Sequence, residues 1–170
     1  PCAVANSKLL GGWDSNITQF LAQKELMDDF LNPYEKEIRA ASSEFEKHIF
    51  SWCIENFVPL KQFQQGEILV IFYENLCIKP EEEIRHLFTF LGKPYSPKVL
   101  KRVSIPSLES NKRSAIISGA DLVSSWRKNI IQEQVNRALE IMSLFGMDKI
   151  YNAGNLPSIS GEDCLDILQS

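Results

Sequence analysis

The sequence predicts a helix-rich chain of the α/β class. Several segments repeat apolar residues at helical spacing, whereas ILVIFY at residues 68–73 has the composition of a strand buried on both faces. One strand cannot form a sheet, so the chain is either all-helical with one misassigned segment or part of an α/β domain. The start at Pro1 rather than at a methionine favours a piece of a longer α/β protein.

Size and composition exclude several broad classes. The 170 residues suffice for one domain with a core, and a hydrophobic content of 44% argues against disorder. A net charge of −4 argues against broad nucleic-acid binding. No apolar run reaches the roughly 18–20 residues of a transmembrane helix. The four cysteines form no CxxC pair, so we expect reduced thiols in a cytoplasmic protein rather than a zinc site.

Three helices are predicted in the first part of the chain. Residues 2–10 form a short helix that Gly11-Gly12 ends. Residues 17–31 follow an imperfect helical period and stop at Asn32-Pro33. Residues 35–57 are the best amphipathic segment, with an apolar stripe at Ile38, Ala41, Phe45, Ile49, Trp52 and Phe57.

After the predicted strand the pattern becomes helical again. Pro80 suits the first turn of a helix over residues 80–91, which Gly92 ends. The glutamates that follow Pro80 favour the positive end of the helix dipole and solubility, and we do not assign them as catalytic acids. Residues 97–103 are a candidate for another short helix.

The last helix is predicted from both of its ends. Asn129 and Gln132 resemble a capping box with the asparagine as cap, and Gly146 follows the final apolar residue. Residues 152–170 are rich in Gly, Ser, Pro and acidic side chains, so we expect a flexible tail there.

Two positions could contact a ligand. The helix that begins PCAVANS would offer free N–H groups to a phosphate, and Ser7 would add a hydroxyl. Tyr73 ends the predicted strand, where ligands bind in open α/β sheets. The alternatives are a capping or surface serine and a tyrosine packed in the core. We interpret the neighbouring Glu74 as a structural residue.

A third candidate is the irregular stretch before the last helix. The cations of this stretch, Lys112, Arg113 and Arg127, could bind phosphate. Ser107 and Trp126 lie in the same stretch and are candidates with them. The alternative is a solvated surface, with the tryptophan packed in the core beside snorkelling cations.

Two histidines, His48 and His86, lie inside predicted helices without a partner at metal-ligand or triad spacing. The sequence contains no HExxH, GxSxG or Walker-type loop. We therefore predict no metal site and assign no catalytic residue.

Taken in order, these features resemble the carboxyl-terminal portion of a sulfotransferase that uses 3′-phosphoadenosine-5′-phosphosulfate (PAPS). The resemblance is carried by PCAVANS, VIFYENL, KPEEEI, LFTFLG and SWRKNIIQEQVNRALEIMSLFGMDKIY, and it covers residues 1–151. It implies a three-layer α/β fold of the P-loop type, of which this chain supplies a helix-rich part. Residues 1–151 would be a partial sulfotransferase domain.

The resemblance also implies roles for single residues. Ser7 would bind the 3′-phosphate of PAPS and Tyr73 would lie near the adenine. Trp126 and Arg127 match a pair that approaches the cofactor. The family's basic triplet is absent, so Lys112 and Arg113 are substitutes for it. Ser107 would line the adenine side, and Trp13 is the candidate contact for the acceptor.

The family's phosphosulfate loop, a PxSGTT-like turn, does not occur in this sequence. The lysine of that loop and the acid–base residue are expected upstream of Pro1. The resemblance implies an enzyme that moves a sulfuryl group from PAPS to a hydroxyl or amine acceptor, with little turnover by this chain alone. The rival hypothesis is a non-catalytic helical module that buries Phe45, Trp52 and Phe57 against a partner protein.

Overall fold

The computed structural model describes residues 1–102, 105 and 121–169. The described α-helices are α1 (Cys2–Gly11), α2 (Thr18–Leu21), α3 (Lys24–Leu26), α4 (Glu35–Arg39), α5 (Glu44–Gln62), α6 (Tyr73–Ile78), α7 (Pro80–Phe90), α8 (Gln132–Leu144) and α9 (Asp163–Gln169). Short 3₁₀ segments lie at Asn32–Tyr34, Pro97–Arg102, Ser125–Lys128 and Met147–Lys149, and Met27–Leu31 forms a π-helical turn.

Helix α5 is the centre of the core. It begins with a capping box, in which Ser43 Oγ accepts from the Glu46 N–H at 3.2 Å and Glu46 Oε2 accepts from the Ser43 N–H at 3.1 Å. Helices α1, α8 and α9 all pack against it. Its buried residues therefore lie on more than one face: Phe45, His48, Ile49, Phe50, Ser51, Cys53, Ile54, Phe57 and Leu60.

Two predicted helix ends are confirmed. Helix α1 ends at Gly12, with φ of 69°, and α8 is followed by Gly146, with φ of 70°. Both glycines adopt the left-handed conformation that other residues rarely take. Helix α7 also begins at Pro80, as its sequence predicts.

Other helix boundaries differ from the prediction. The segment 17–31 is broken, because a straight helix would place Leu21 and Leu26 about 140° apart on its surface. The segment 35–57 is interrupted before Ser43, since this serine caps a new helix instead of continuing the old one. Helix α8 begins at Gln132 rather than after Asn129, and the Ile131 N–H donates to Gln134 Oε1 at 3.1 Å.

The predicted strand is wrong for the described residues. Residues 69–72 lie outside any helix or strand, and the only pairing nearby is an isolated bridge between Gln65 and Ile68. No bridge pairs residues 69–72 with another segment in the described part of the chain, and a strand without partners forms no ladder. Tyr73 begins α6 instead of ending a strand. The three-layer sheet architecture is thus not seen in these residues.

The segment after residue 152 packs on the domain instead of extending from it. Helix α9 buries Cys164, Leu165 and Leu168 in the core. The Gln169 side chain donates to the carbonyls of Leu60 at 3.0 Å and Phe63 at 2.6 Å, at the end of α5. The expectation of a flexible tail therefore does not hold for α9.

The Glu46 carboxylate should make the stability of the fold depend on pH, and its substitution should remove that part of the dependence. Burial disfavours its charge, but hydrogen bonds from Arg137, Ser42 and Ser43 outweigh this and lower the pKa of Glu46 to about 2. Because the folded state holds the carboxylate ionised, its stabilisation is present above the unfolded pKa of about 4.3 and is lost as the pH falls towards 2. We expect Glu46→Gln to cost about 1–2 kcal/mol at pH 7.

The measurement is urea unfolding of both proteins between pH 3 and pH 7. Glu140→Gln is the matched control, since Glu140 binds the same Arg137 at 3.0 Å but is exposed. Its effect at pH 7 should be smaller. An equal loss for both variants, or a loss at Glu46 that does not shrink in acid, would contradict the prediction.

Substitution of Gly161 should destabilise the packing of the last segment. A Cβ at this position would lie 2.1 Å from the Val70 carbonyl oxygen, so the backbone would have to shift. We expect Gly161→Ala to lose about 1–3 kcal/mol in thermal unfolding. Gly11→Ala is the control, because its Cβ would meet only the exposed Trp13 ring, at 3.1 Å. A Gly161→Ala protein as stable as the wild type would refute this.

Candidate functional site

Ser7 lies on the exposed surface of α1. Cys2 and Ala5 face the core and hold this helix against α5. Because α1 begins at Cys2, Ser7 lies about 7 Å along the axis from the first turn and its free N–H groups. The serine hydroxyl is therefore available to a ligand, but the helix N-terminus and Ser7 do not form one compact phosphate cradle.

Tyr73 is exposed at the first turn of α6. Its exposed fraction is 55%, so the alternative of a tyrosine packed in the core is wrong. Burial around the hydroxyl, followed by its hydrogen bond with the Cys77 side chain, raises the pKa of Tyr73 to about 12. The phenol is therefore protonated at neutral pH, and Tyr73 presents an uncharged aromatic face.

Glu74, the next residue, points the other way and is only 9% exposed. Its Oε2 accepts a hydrogen bond of 2.9 Å from the Tyr151 hydroxyl. The expectation of a structural role for Glu74 agrees with this contact. Burial, and then the charge of Glu74, raise the pKa of Tyr151, so this phenol remains the donor in the pair.

Trp126 and Arg127 lie in the 3₁₀ segment Ser125–Lys128. Trp126 is 6% exposed, as the core-packing alternative predicts, and the Arg127 guanidinium stacks over its ring at 4.4 Å. Arg127 also donates to Asn155 Oδ1 at 2.6 Å and to the Ala153 carbonyl. These contacts already use much of the guanidinium, so an anion would share or displace them.

A pocket lies where α1, α6, α8 and the Ser125–Lys128 segment converge. Apolar side chains form most of its wall, and the polar groups come mainly from α6 and from the segment that follows α8. Its lining consists of Pro1, Cys2, Ala3, Glu74, Trp126, Val135, Ala138, Leu139, Met142, Tyr151, Asn152, Gly154 and Asn155. Its volume is only about 30 Å³, room for a water molecule or two and not for a nucleotide, so this pocket by itself is not a ligand site.

Of the predicted site residues that the structure describes, Trp126 alone lines this pocket. Tyr73 does not line it, although its neighbour Glu74 does. Ser7 and Arg127 do not line the pocket itself. Sequence reasoning missed Tyr151, because its partner is 77 positions away and no local pattern marks it.

Three predicted residues, Ser107, Lys112 and Arg113, lie outside the described residues. Among those that are described, no group of three His, Cys, Asp or Glu side chains could hold a metal ion. The described helices also include none with the length and apolar composition needed to cross a bilayer.

Trp13, the candidate acceptor contact, is separate from this pocket. Its side chain is 67% exposed, and its carbonyl oxygen lies 2.9 Å from His48 Nε2. The nearby Ser15 hydroxyl contacts Ser51 Oγ at 2.6 Å, so residues 13–15 are docked on α5. His48 is thus a packed histidine, and the exposed indole remains available to a partner molecule.

One family model matches the chain. The model described as "Sulfotransferase domain" matches residues 15–142, well over half of the chain. The match includes Tyr73, Trp126 and Arg127 and begins after Ser7 and Trp13. No curated protein and no solved structure matches the chain. On the strength of the match over residues 15–142, the chain belongs to the sulfotransferase domain family.

Proposed function

We propose that this protein takes part in sulfuryl transfer from PAPS to a hydroxyl or amine acceptor. The S–O bond to the phosphate would break, a new bond from sulfur to the acceptor would form, and the acceptor proton would pass to a base. The products are the sulfated acceptor and 3′-phosphoadenosine-5′-phosphate (PAP). Membership of the sulfotransferase family supports the reaction class, and the PAPS donor is part of our proposal.

The observation that carries the nucleotide assignment is the exposed Tyr73 beside a buried, fixed Glu74. An exposed aromatic ring on a rigid support suits stacking with adenine. Ser7 would donate its hydroxyl to the 3′-phosphate. Trp126 would support the site as part of the pocket wall, and Arg127 would reach the phosphate only by giving up a bond to Asn155 or Ala153.

We assign no residue of this chain to the phosphosulfate loop or to the catalytic base. The sequence contains no glycine-rich phosphosulfate loop, and we assign no catalytic base. Ser107, Lys112 and Arg113 remain candidates for the cofactor side, and Trp13 for the acceptor side.

The interaction-module hypothesis finds less support. Phe45 and Phe57 are buried within the core of this chain, and Trp52 packs against Tyr151 at a ring distance of 5.7 Å. Aromatic residues that are already packed inside the molecule cannot bind a partner without opening it. The family match also favours an enzyme.

The first prediction concerns turnover. We expect the 170-residue chain alone, mixed with PAPS and generic hydroxyl and amine acceptors, to show no sustained transfer. The physical reason is that a sulfuryl transfer needs an anion cradle at the reacting group, and the sequence provides no phosphosulfate loop. The measurement is incorporation of radiolabelled sulfur, with an active sulfotransferase as the positive control. Multiple turnovers would contradict the prediction.

The second prediction concerns nucleotide affinity. In calorimetry of the protein with PAP, we expect Tyr73→Ala to weaken binding about ten-fold or more, because stacking with the base is lost. Ser7→Ala should weaken it roughly ten-fold, because a hydrogen bond to a charged phosphate is lost.

Ser143→Ala is the matched control for Ser7→Ala, since Ser143 is also an exposed serine on a helix and no contact with the nucleotide is proposed for it. Its affinity for PAP should equal that of the wild type. If Ser7→Ala binds PAP as tightly as the control does, Ser7 is not part of the nucleotide site. An unchanged affinity in Tyr73→Ala would remove the adenine assignment.

A further inference from the structure

Tyr73 lies between two residues, Phe72 and Glu74, whose side chains are buried. Phe72 is buried and caps the start of α6, and Glu74 is buried in the first turn. Both contact the same side chain, Tyr151. The Phe72 and Tyr151 rings meet edge to face at 5.7 Å, and the Tyr151 hydroxyl donates to Glu74 at 2.9 Å.

Tyr151 also contacts the central helix. Trp52 of α5 meets its ring edge to face, with a centroid distance of 5.7 Å and an interplanar angle of 77°. Edge-to-face pairs of this kind restrict the orientation of a ring as well as burying it. Tyr151 therefore connects the central helix to the residues on both sides of Tyr73.

From this arrangement we infer that Tyr151 is a positioning residue, which presents Tyr73 to the nucleotide by holding Phe72 and Glu74. The inference rests on the proposed function, because it assumes that Tyr73 contacts the adenine. With Phe72 and Glu74 fixed inwards, the side chain between them is directed outwards, as its exposure of 55% shows.

The hydrogen bond from the Tyr151 hydroxyl to Glu74 keeps the carboxylate buried, which ring packing alone would not do. A buried carboxylate is costly unless it is paired, and a hydroxyl that donates to a carboxylate forms one of the stronger hydrogen bonds in proteins. Without the hydroxyl, Glu74 would tend to turn towards water. The first turn of α6 would then rotate or fray, and the Tyr73 ring would lose its fixed direction.

Direct binding of the ligand by Glu74 is the competing explanation, since this residue lines the pocket. The two explanations differ in what they require. Positioning needs a hydrogen-bond acceptor for the Tyr151 hydroxyl, which a glutamine also supplies. Direct recognition of a cationic or donor group by the carboxylate needs its charge.

The test is a double-mutant cycle in this protein, with PAP as the titrated ligand and calorimetry as the measurement. Tyr151→Phe removes only the hydroxyl and keeps the ring contacts. We expect it to weaken PAP binding roughly three- to ten-fold, with no further loss when it is added to Tyr73→Ala. A purely structural role would not produce this non-additivity.

Tyr34→Phe is the matched control. Tyr34 is also a tyrosine packed among aromatic rings, with Phe145 at 4.5 Å, but its ring contacts are away from Glu74. Its affinity for PAP should remain within about two-fold of the wild type. A second pair of variants covers the case in which Tyr151→Phe does not fold. Glu74→Gln should bind PAP nearly as well as the wild type, whereas Glu74→Ala should lose as much as Tyr151→Phe.

Three results would overturn the inference. Tyr151→Phe could bind PAP as tightly as the wild type. Alternatively, Tyr151→Phe could reduce PAP affinity by the same factor in the wild type and in Tyr73→Ala. Glu74→Gln could lose as much affinity as Glu74→Ala, which would show direct recognition by the carboxylate. Failure of the proposed function has a different signature: a wild type that does not bind PAP, or Tyr73→Ala with unchanged affinity, would reject the nucleotide site and the inference together.

Discussion

Burial of α5 on more than one face is the constraint on which the rest of the structure depends. Each neighbouring element docks on a different stretch of this helix. Glu46 near its start binds Arg137 of α8 at 2.7 Å, and His48, two residues later, contacts the carbonyl of Trp13 at 2.9 Å. At its end, the carbonyls of Leu60 and Phe63 accept from Gln169 of α9.

Contacts with α5 also determine the geometry of the candidate site. Trp52, in the middle of α5, orients Tyr151, and Tyr151 holds Glu74 at the start of α6. Tyr73 is exposed because both of its neighbours are committed to the interior. A solvent-facing residue is thus placed by a series of buried contacts, and the rigidity of the proposed adenine contact depends on the core rather than on the surface.

Local residues predicted several parts of this fold. Gly12, Pro80 and Gly146 mark helix ends through effects that act within one turn, and the structure has these ends where the sequence predicts them. The prediction failed at residues 68–73 because a strand exists only through pairing with distant segments. The break before Ser43 was missed because a serine cap interrupts an apolar stripe that otherwise continues.

In the candidate site, too, local residues could be predicted from the sequence and long-range contacts could not. That Tyr73 is a candidate residue could be inferred from the pattern around it, whereas its support by Tyr151 could not, because 77 positions separate Glu74 from its partner. Arg127 was predicted as a cofactor contact from its charge, yet its hydrogen bonds to Asn155 and Ala153 could be seen only in three dimensions. Residue type therefore indicated which side chains suit an anion or a base, and the fold determined which of them are free.

The most direct test of the central claim is a crystal structure of the protein with PAP. The account predicts that the adenine lies against the Tyr73 ring, that the 3′-phosphate lies within hydrogen-bond distance of Ser7, and that the contact between Tyr151 and Glu74 is retained. A nucleotide bound elsewhere, with the Tyr73 ring still facing solvent, would contradict it.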